Sequence, residues 1–285
     1  MRSSTPWALV FVISVALGLH PGTVAAHGAF HERLGELDHD IDRSPSDQEP
    51  WLARSFLFRS HGDLDRALAD LARATALEPH RHDLHLHRGR IWLESGDSAG
   101  AEAAFARFLA VEPHHAGARA ERARALLQLS RPLEAAAELD AALVASEVAV
   151  PELYLERSRA LALAGEAHLP AAIAGLDEGI AALGPVDSLE REALELEVRS
   201  GRLGPALIRV DRMAGRSPRP EAWLVRRGEI LEQMRRREEA RAAYGRALAA
   251  IAQLPEHRRV TPAVRQLESR AGESLARLDG AESKP

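Results

Sequence analysis

Past residue 45 the chain falls into a regular beat of alanines. Ala67, Ala101, Ala135, Ala172, Ala206 and Ala240 are separated by 34, 34, 37, 34 and 34 residues. Four positions after each stands Leu71, Phe105, Leu139, Leu176, Val210 or Tyr244, and three further on Ala74, Phe108, Ala142, Gly179, Met213 or Ala247. Offsets of four and seven share one side of a helix, and the small residue lets a neighbouring helix come close. Each such helix follows a turn: Gly62-Asp63, Gly96-Asp97, Ser130-Arg131-Pro132, Gly165 and Gly201, with Arg235 at the sixth. Ahead of each turn lies a second amphipathic stretch, carrying Leu57, Trp92, Leu126, Leu161 or Ile230 toward its partner. Pro79, Pro113 and Pro218 stop units at a constant distance from the alanines. The pattern predicts six helix–turn–helix units.

A small residue before the turn also keeps step, as Ser55, Gly89, Ala123, Ser158 and Gly228, with Leu194 in its place in unit five. Unit four carries about two extra residues between Gly165 and Ala172. With its period of 34, this array resembles the tetratricopeptide repeat family across residues 46–254. The resemblance implies an all-α fold, a right-handed superhelical solenoid of stacked antiparallel helix pairs. A single hairpin cannot bury its apolar face, so neighbours shield one another and leave a groove lined by the first helices. The ends then need caps. Phe30, Leu34, Leu37 and Ile41 form a stripe for an N-terminal capping helix over 27–45, and Thr261-Pro262 reads as the N-cap of a C-terminal one over 255–280. Residues 281–285 are left as a disordered tail.

Composition changes the picture at the N-terminus. Arg2 precedes a 13-residue apolar run, Trp7 to Leu19, too short to span a bilayer, and Val24-Ala25-Ala26 suits cleavage after Ala26. Residues 1–26 therefore read as an export signal, and the mature chain, beginning at His27, as periplasmic or secreted. With no cysteine, disulfides, thiolate metal sites and cysteine nucleophiles are excluded. A net charge of -5 and the lack of a basic block argue against nucleic acid. Lys284 is the sole lysine among 37 basic residues, so arginine rows must be discounted for a bias toward arginine.

Two such rows appear. Arg54, Arg88, Arg122, Arg157 and Arg227 each precede the small residue, while Arg90, Arg124 and Arg159 occupy a column that faces the groove in the resembled family. Guanidiniums there could clamp the carboxylates of a protein or peptide partner, or pair internally with Glu121, Glu156 and Glu192. Phe56, Arg59, Arg90, Leu93, Arg124 and Arg159 are the candidate partner-binding residues. The family's lysine-and-asparagine clamp does not carry over, since those columns hold Leu52, Phe56, His87 and Glu121. Histidines offer a second chemistry. His80, His82, His85 and His87, with His114 and His115 one unit later, could hold copper or zinc, as could His27 and His31 at the mature start. His85 falls in a packing column and His87 elsewhere on its helix. No catalytic motif is present, and the reading is a non-enzymatic protein-binding scaffold of the cell envelope, the alternative being a periplasmic metal-binding protein.

Overall fold

The computed structural model describes residues 21–280, with side chains from Gly28 onward. The predicted export signal and the tail therefore lie outside the described residues, except for helical backbone that starts at Pro21. The described residues form fifteen α-helices and a 3-10 turn, with no strand among them. In order these are α1 (Pro21–Arg43), α2 (Gln48–Ser60), α3 (Leu64–Leu77), α4 (Asp83–Ser95), α5 (Ser98–Leu109), α6 (Ala116–Gln128), α7 (Pro132–Ala145) and α8 (Pro151–Ala164). The 3-10 turn Glu166–His168 is followed by α9 (Leu169–Leu183), α10 (Asp187–Arg199), α11 (Leu203–Arg216), α12 (Glu221–Gln233), α13 (Arg237–Ala252), α14 (Glu256–Arg259) and α15 (Pro262–Gly280). The chain divides into two compact units, one ending at Leu84 and the other starting at His85.

In the first unit α1 supplies Leu37 and Ile41, α2 Leu52 and Phe58, and α3 Ala67, Leu71 and Ala74 to one buried core. Leu57, expected to face the partner helix, is half-buried, and Phe58 takes that role. Ser55 Oγ donates to the Ala67 carbonyl at 2.7 Å and Gln48 Nε2 to the Ala74 carbonyl at 2.9 Å, so α2 is tied to α3 by polar bonds as well as packing.

In the second unit the alanine beat is the core. Ala101, Ala135, Ala172, Ala206 and Ala240 are buried, as are the residues four positions after them. The small residue of the first helix sits opposite that larger one, and the two trade volume. Gly89 faces Phe105 and Gly228 faces Tyr244, whereas Ala123 and Ser158 accompany Leu139 and Leu176. Leu194, out of pattern in sequence, accompanies the smaller Val210. The Gly/Phe, Gly/Tyr, Ala/Leu and Ser/Leu pairs sum to nearly the same volume, as close-packed interiors require, whereas Leu194 with Val210 is the larger pair.

All six turns contain a residue in the left-handed region: Gly62, Gly96, Gly165 and Gly201, but also Ser130 at φ 59 and Arg235 at φ 60. Asp63 and Asp97 then cap the next helix, accepting from the Arg66 and Gly100 amides. The extra residues of unit four are taken up by the 3-10 turn. The C-terminal cap buries Val264, Ala271 and Leu278. Thr261 differs from its expected role: its carbonyl accepts from Arg265, but its hydroxyl turns back to donate to the Arg258 carbonyl at 2.8 Å.

Candidate functional site

The first arginine row points into the fold. Arg157, only 8% exposed, donates to Asp140 and Glu178 at 2.8 Å each and to the Gly175 carbonyl at 3.1 Å, joining α7 to α9. A Cβ on Gly175 would stand 2.5 Å from that guanidinium, so the glycine makes its room. Burial pulls the Arg157 pKa down, but the bonds to Glu178 and Asp140 outweigh it and the net shift is upward. Arg122 likewise holds Glu102 of α5 and Glu138 of α7, Arg227 holds Asp211 at 2.6 Å, and in the first unit Arg54 holds Asp70 and Asp38. Arg88 behaves differently: burial, helped by the nearby Arg107 charge, lowers its pKa. Arg209, a member the row did not predict, meets the buried Glu197 at 2.8 Å and reaches Asp177. Arg122, Arg157 and Arg209 thus each bind one second helix to the next.

The second row lies along the first helices of the second unit and forms a ladder. Arg90 of α4 pairs with Glu121 of α6 at 2.9 Å, and Arg124 of α6 with Glu156 of α8 at 2.7 Å. Beyond unit five the polarity reverses, so that Glu195 of α10 takes Arg226 of α12 at 2.5 Å, and Glu229 of α12 takes Arg270 of α15. The same register would join Arg159 of α8 to Glu192 of α10. That rung is open: Arg159 is exposed and has no ion pair among the described residues. Of the three arginines in this row, Arg90 and Arg124 are neutralised within the chain and Arg159 is left.

The remaining candidates are scattered. Phe56 is 41% exposed, an unusual setting for an aromatic ring, and Arg59 is half-buried beside it in α2. Leu93 packs against the Phe105 cluster and so contributes to the core as much as to the surface. His80, His82, His114 and His115 are exposed, and His115 Nδ1 accepts from the Ala118 amide at 3.0 Å as the N-cap of α6. The expectation for α4 is reversed: His87 is the buried histidine, at 2%, and His85 is half-buried. Two positions apart on a helix, these side chains stand about 200° from one another, and His87 shares the buried side with Leu84 and Ile91. His31 packs edge-on against Phe30 at 5.3 Å, and the His27 ring lies outside the described residues. Among the described residues no three His, Asp or Glu side chains gather as a metal site, and no helix is long and apolar enough to cross a membrane.

The family model for the tetratricopeptide repeat matches residues 52–110 and 93–150. No curated protein matches the chain. Among solved structures, a tetratricopeptide repeat protein from Parabacteroides merdae is 16% identical, with a TM-score of 0.53 over 88% of this chain and 95% of its own. A structure of Naa15/Naa10 bound to HypK-THB is 15% identical, with a TM-score of 0.56 over 90% of this chain and 44% of that one. The MamA protein is 18% identical, with a TM-score of 0.50 over 60% and 92%. At these identities the likeness concerns the fold. The family model covers the first three units, so residues 52–150 carry tetratricopeptide repeats, and the same alanines, left-handed turns and paired helices continue through the sixth unit.

Proposed function

We propose that this chain is a non-enzymatic scaffold of the cell envelope that holds a protein or peptide partner against the first helices of its repeats. The observation that carries the reading is the ladder with its open rung. Four rungs consume their charges internally, whereas Arg159 presents its guanidinium to solvent without closing on Glu192, the carboxylate its register supplies. A buried or neutralised face would offer a partner little; an exposed guanidinium in a fixed row offers bidentate recognition of a carboxylate. The fold is one whose stacked units supply an extended binding surface. The reading of residues 1–26 as an export signal, made from sequence alone, is the reason for placement in the envelope, and the scattered histidines give copper or zinc no part in the proposal.

Capture from a cell-envelope extract tests it, with wild type, Phe56→Ala and Arg159→Glu as baits and Val144→Ser, altering a residue 89% exposed on α7, as a control. The substitutions on the first helices are expected to lose partners that the control retains. Equal capture by all four would remove the first helices as the binding face. N-terminal sequencing of the exported chain should begin at His27, and an uncleaved Met1 would contradict export.

A further inference from the structure

The second unit holds a cup of ≈540 Å³ between α10, α12 and α15, lined chiefly by Arg191, Arg219, Trp223, Arg226, Leu267 and Arg270. Its three glutamates are already engaged. Glu195 takes Arg226, Glu229 takes Arg226 at 3.1 Å and also Arg270, and Glu221 takes Arg219 at 3.1 Å. Arg191 makes no ion pair among the described residues, and instead its guanidinium lies over the Trp223 ring, 4.8 Å from the centroid. Stacking fixes the plane of a guanidinium and leaves its N–H edge, the side that carries the donors, available. Trp223 and Leu267 are each half-buried and place apolar surface next to that edge.

We propose that this cup binds a peptide segment that sets a carboxylate beside an apolar side chain. The carboxylate bonds the edge of Arg191, and the apolar side chain covers Trp223 and Leu267. Charge complementarity selects this occupant: four arginines against three glutamates leave one cation without a carboxylate, and a second cation or a neutral polar segment would leave it so. The inference rests on the scaffold reading, and it narrows that reading from the row of first helices to one place and one ligand chemistry.

The test is selection of displayed short random peptides on the folded chain. Selected sequences are then synthesised in three forms: unchanged, with acidic side chains replaced by amides, and with an amidated C-terminus. The last two separate a side-chain carboxylate from a terminal one. Titration calorimetry with Arg191→Glu and Trp223→Ala is expected to show binding weakened about tenfold to a hundredfold, the range for a lost charge-assisted contact. Arg191→Lys should lose less, and wild-type binding should weaken with added salt. Circular dichroism confirms that each variant is folded, and Arg191→Lys against Arg191→Glu decides alone if Trp223→Ala is not. Peptides that lack any carboxylate requirement overturn the inference. So do peptides indifferent to Arg191→Glu but lost with Phe56→Ala or Arg159→Glu, which would leave the scaffold reading standing at another place. Selected peptides indifferent to every substitution on the first helices, or no selected peptide at all, overturn both.

Discussion

Gly89→Ala is the substitution whose outcome the packing fixes most tightly. Gly89 lies inside α4, and exchanging a mid-helix glycine for alanine ordinarily stabilises by about 1 kcal/mol. Here the added Cβ would lie 2.6 Å from Phe105 Cε1, 2.8 Å from Cδ1 and 2.9 Å from Cζ. Carbon atoms rest comfortably at about 3.5–4.0 Å, so the ring must retreat by roughly 1 Å. It has nowhere to go: Phe105 is fully buried, among Ala101, Ala125, Leu86, Trp92 and Leu93. Overpacking of this kind costs about 1–3 kcal/mol, which exceeds or cancels the helical gain. The expected result is a net loss, up to about 2 kcal/mol, where propensity predicts a gain. Phe105→Leu alone leaves a void and should also destabilise. Together the two changes recreate the Ala123 and Leu139 pair of the next unit, so the double variant should be more stable than the sum of the single effects by about 1 kcal/mol or more. Urea unfolding followed by far-ultraviolet ellipticity measures all four corners of the cycle. A stabilised Gly89→Ala, or effects that add to within about 0.5 kcal/mol, would show that the two columns do not share one volume.

Arg235→Gly relieves a non-glycine residue of its left-handed backbone, at φ 60, and should stabilise by about 1 kcal/mol, read as a raised melting temperature. Arg209→Met leaves Glu197, 3% exposed at its side chain, without its main partner, and should cost about 3–5 kcal/mol in urea unfolding; Arg159→Ala, at an open rung, should cost under about 0.5 kcal/mol. Burial, and then the bond its hydroxyl donates to Glu232 at 2.8 Å, raise the pKa of Tyr244. Its contribution is therefore complete below the unfolded value of about 10 and is lost as pH climbs beyond that toward the higher folded value. Ultraviolet titration should find Tyr244 ionising only as the helical signal collapses, and Tyr244→Phe should flatten that alkaline loss of stability.

The repeat was legible in the sequence because its cause is local. Ala101, Phe105 and Phe108 lie on one side of α5 by helical geometry alone, and the turn residues act within a few positions of themselves. Those features fix helix, turn and partner wherever they occur, so six units and both caps follow without knowledge of any distant contact. Charge pairing obeys no such rule. Arg124 and Arg159 occupy the same column, yet only Arg124 finds its glutamate, because a salt bridge depends on the rotamers and approach of helices some thirty residues apart. His85 and His87 exchange roles for a different reason: His87 is in step with the buried Leu84 and Ile91, a stripe that the column shared with Trp51 and Tyr154 misses. Arg191 and Trp223 carried no motif at all; 32 residues separate them, and only the stacking of α10 on α12 brings the guanidinium over the ring. Periodic burial is thus written residue by residue along the chain, whereas which charges remain available to a partner is settled by how neighbouring helices meet.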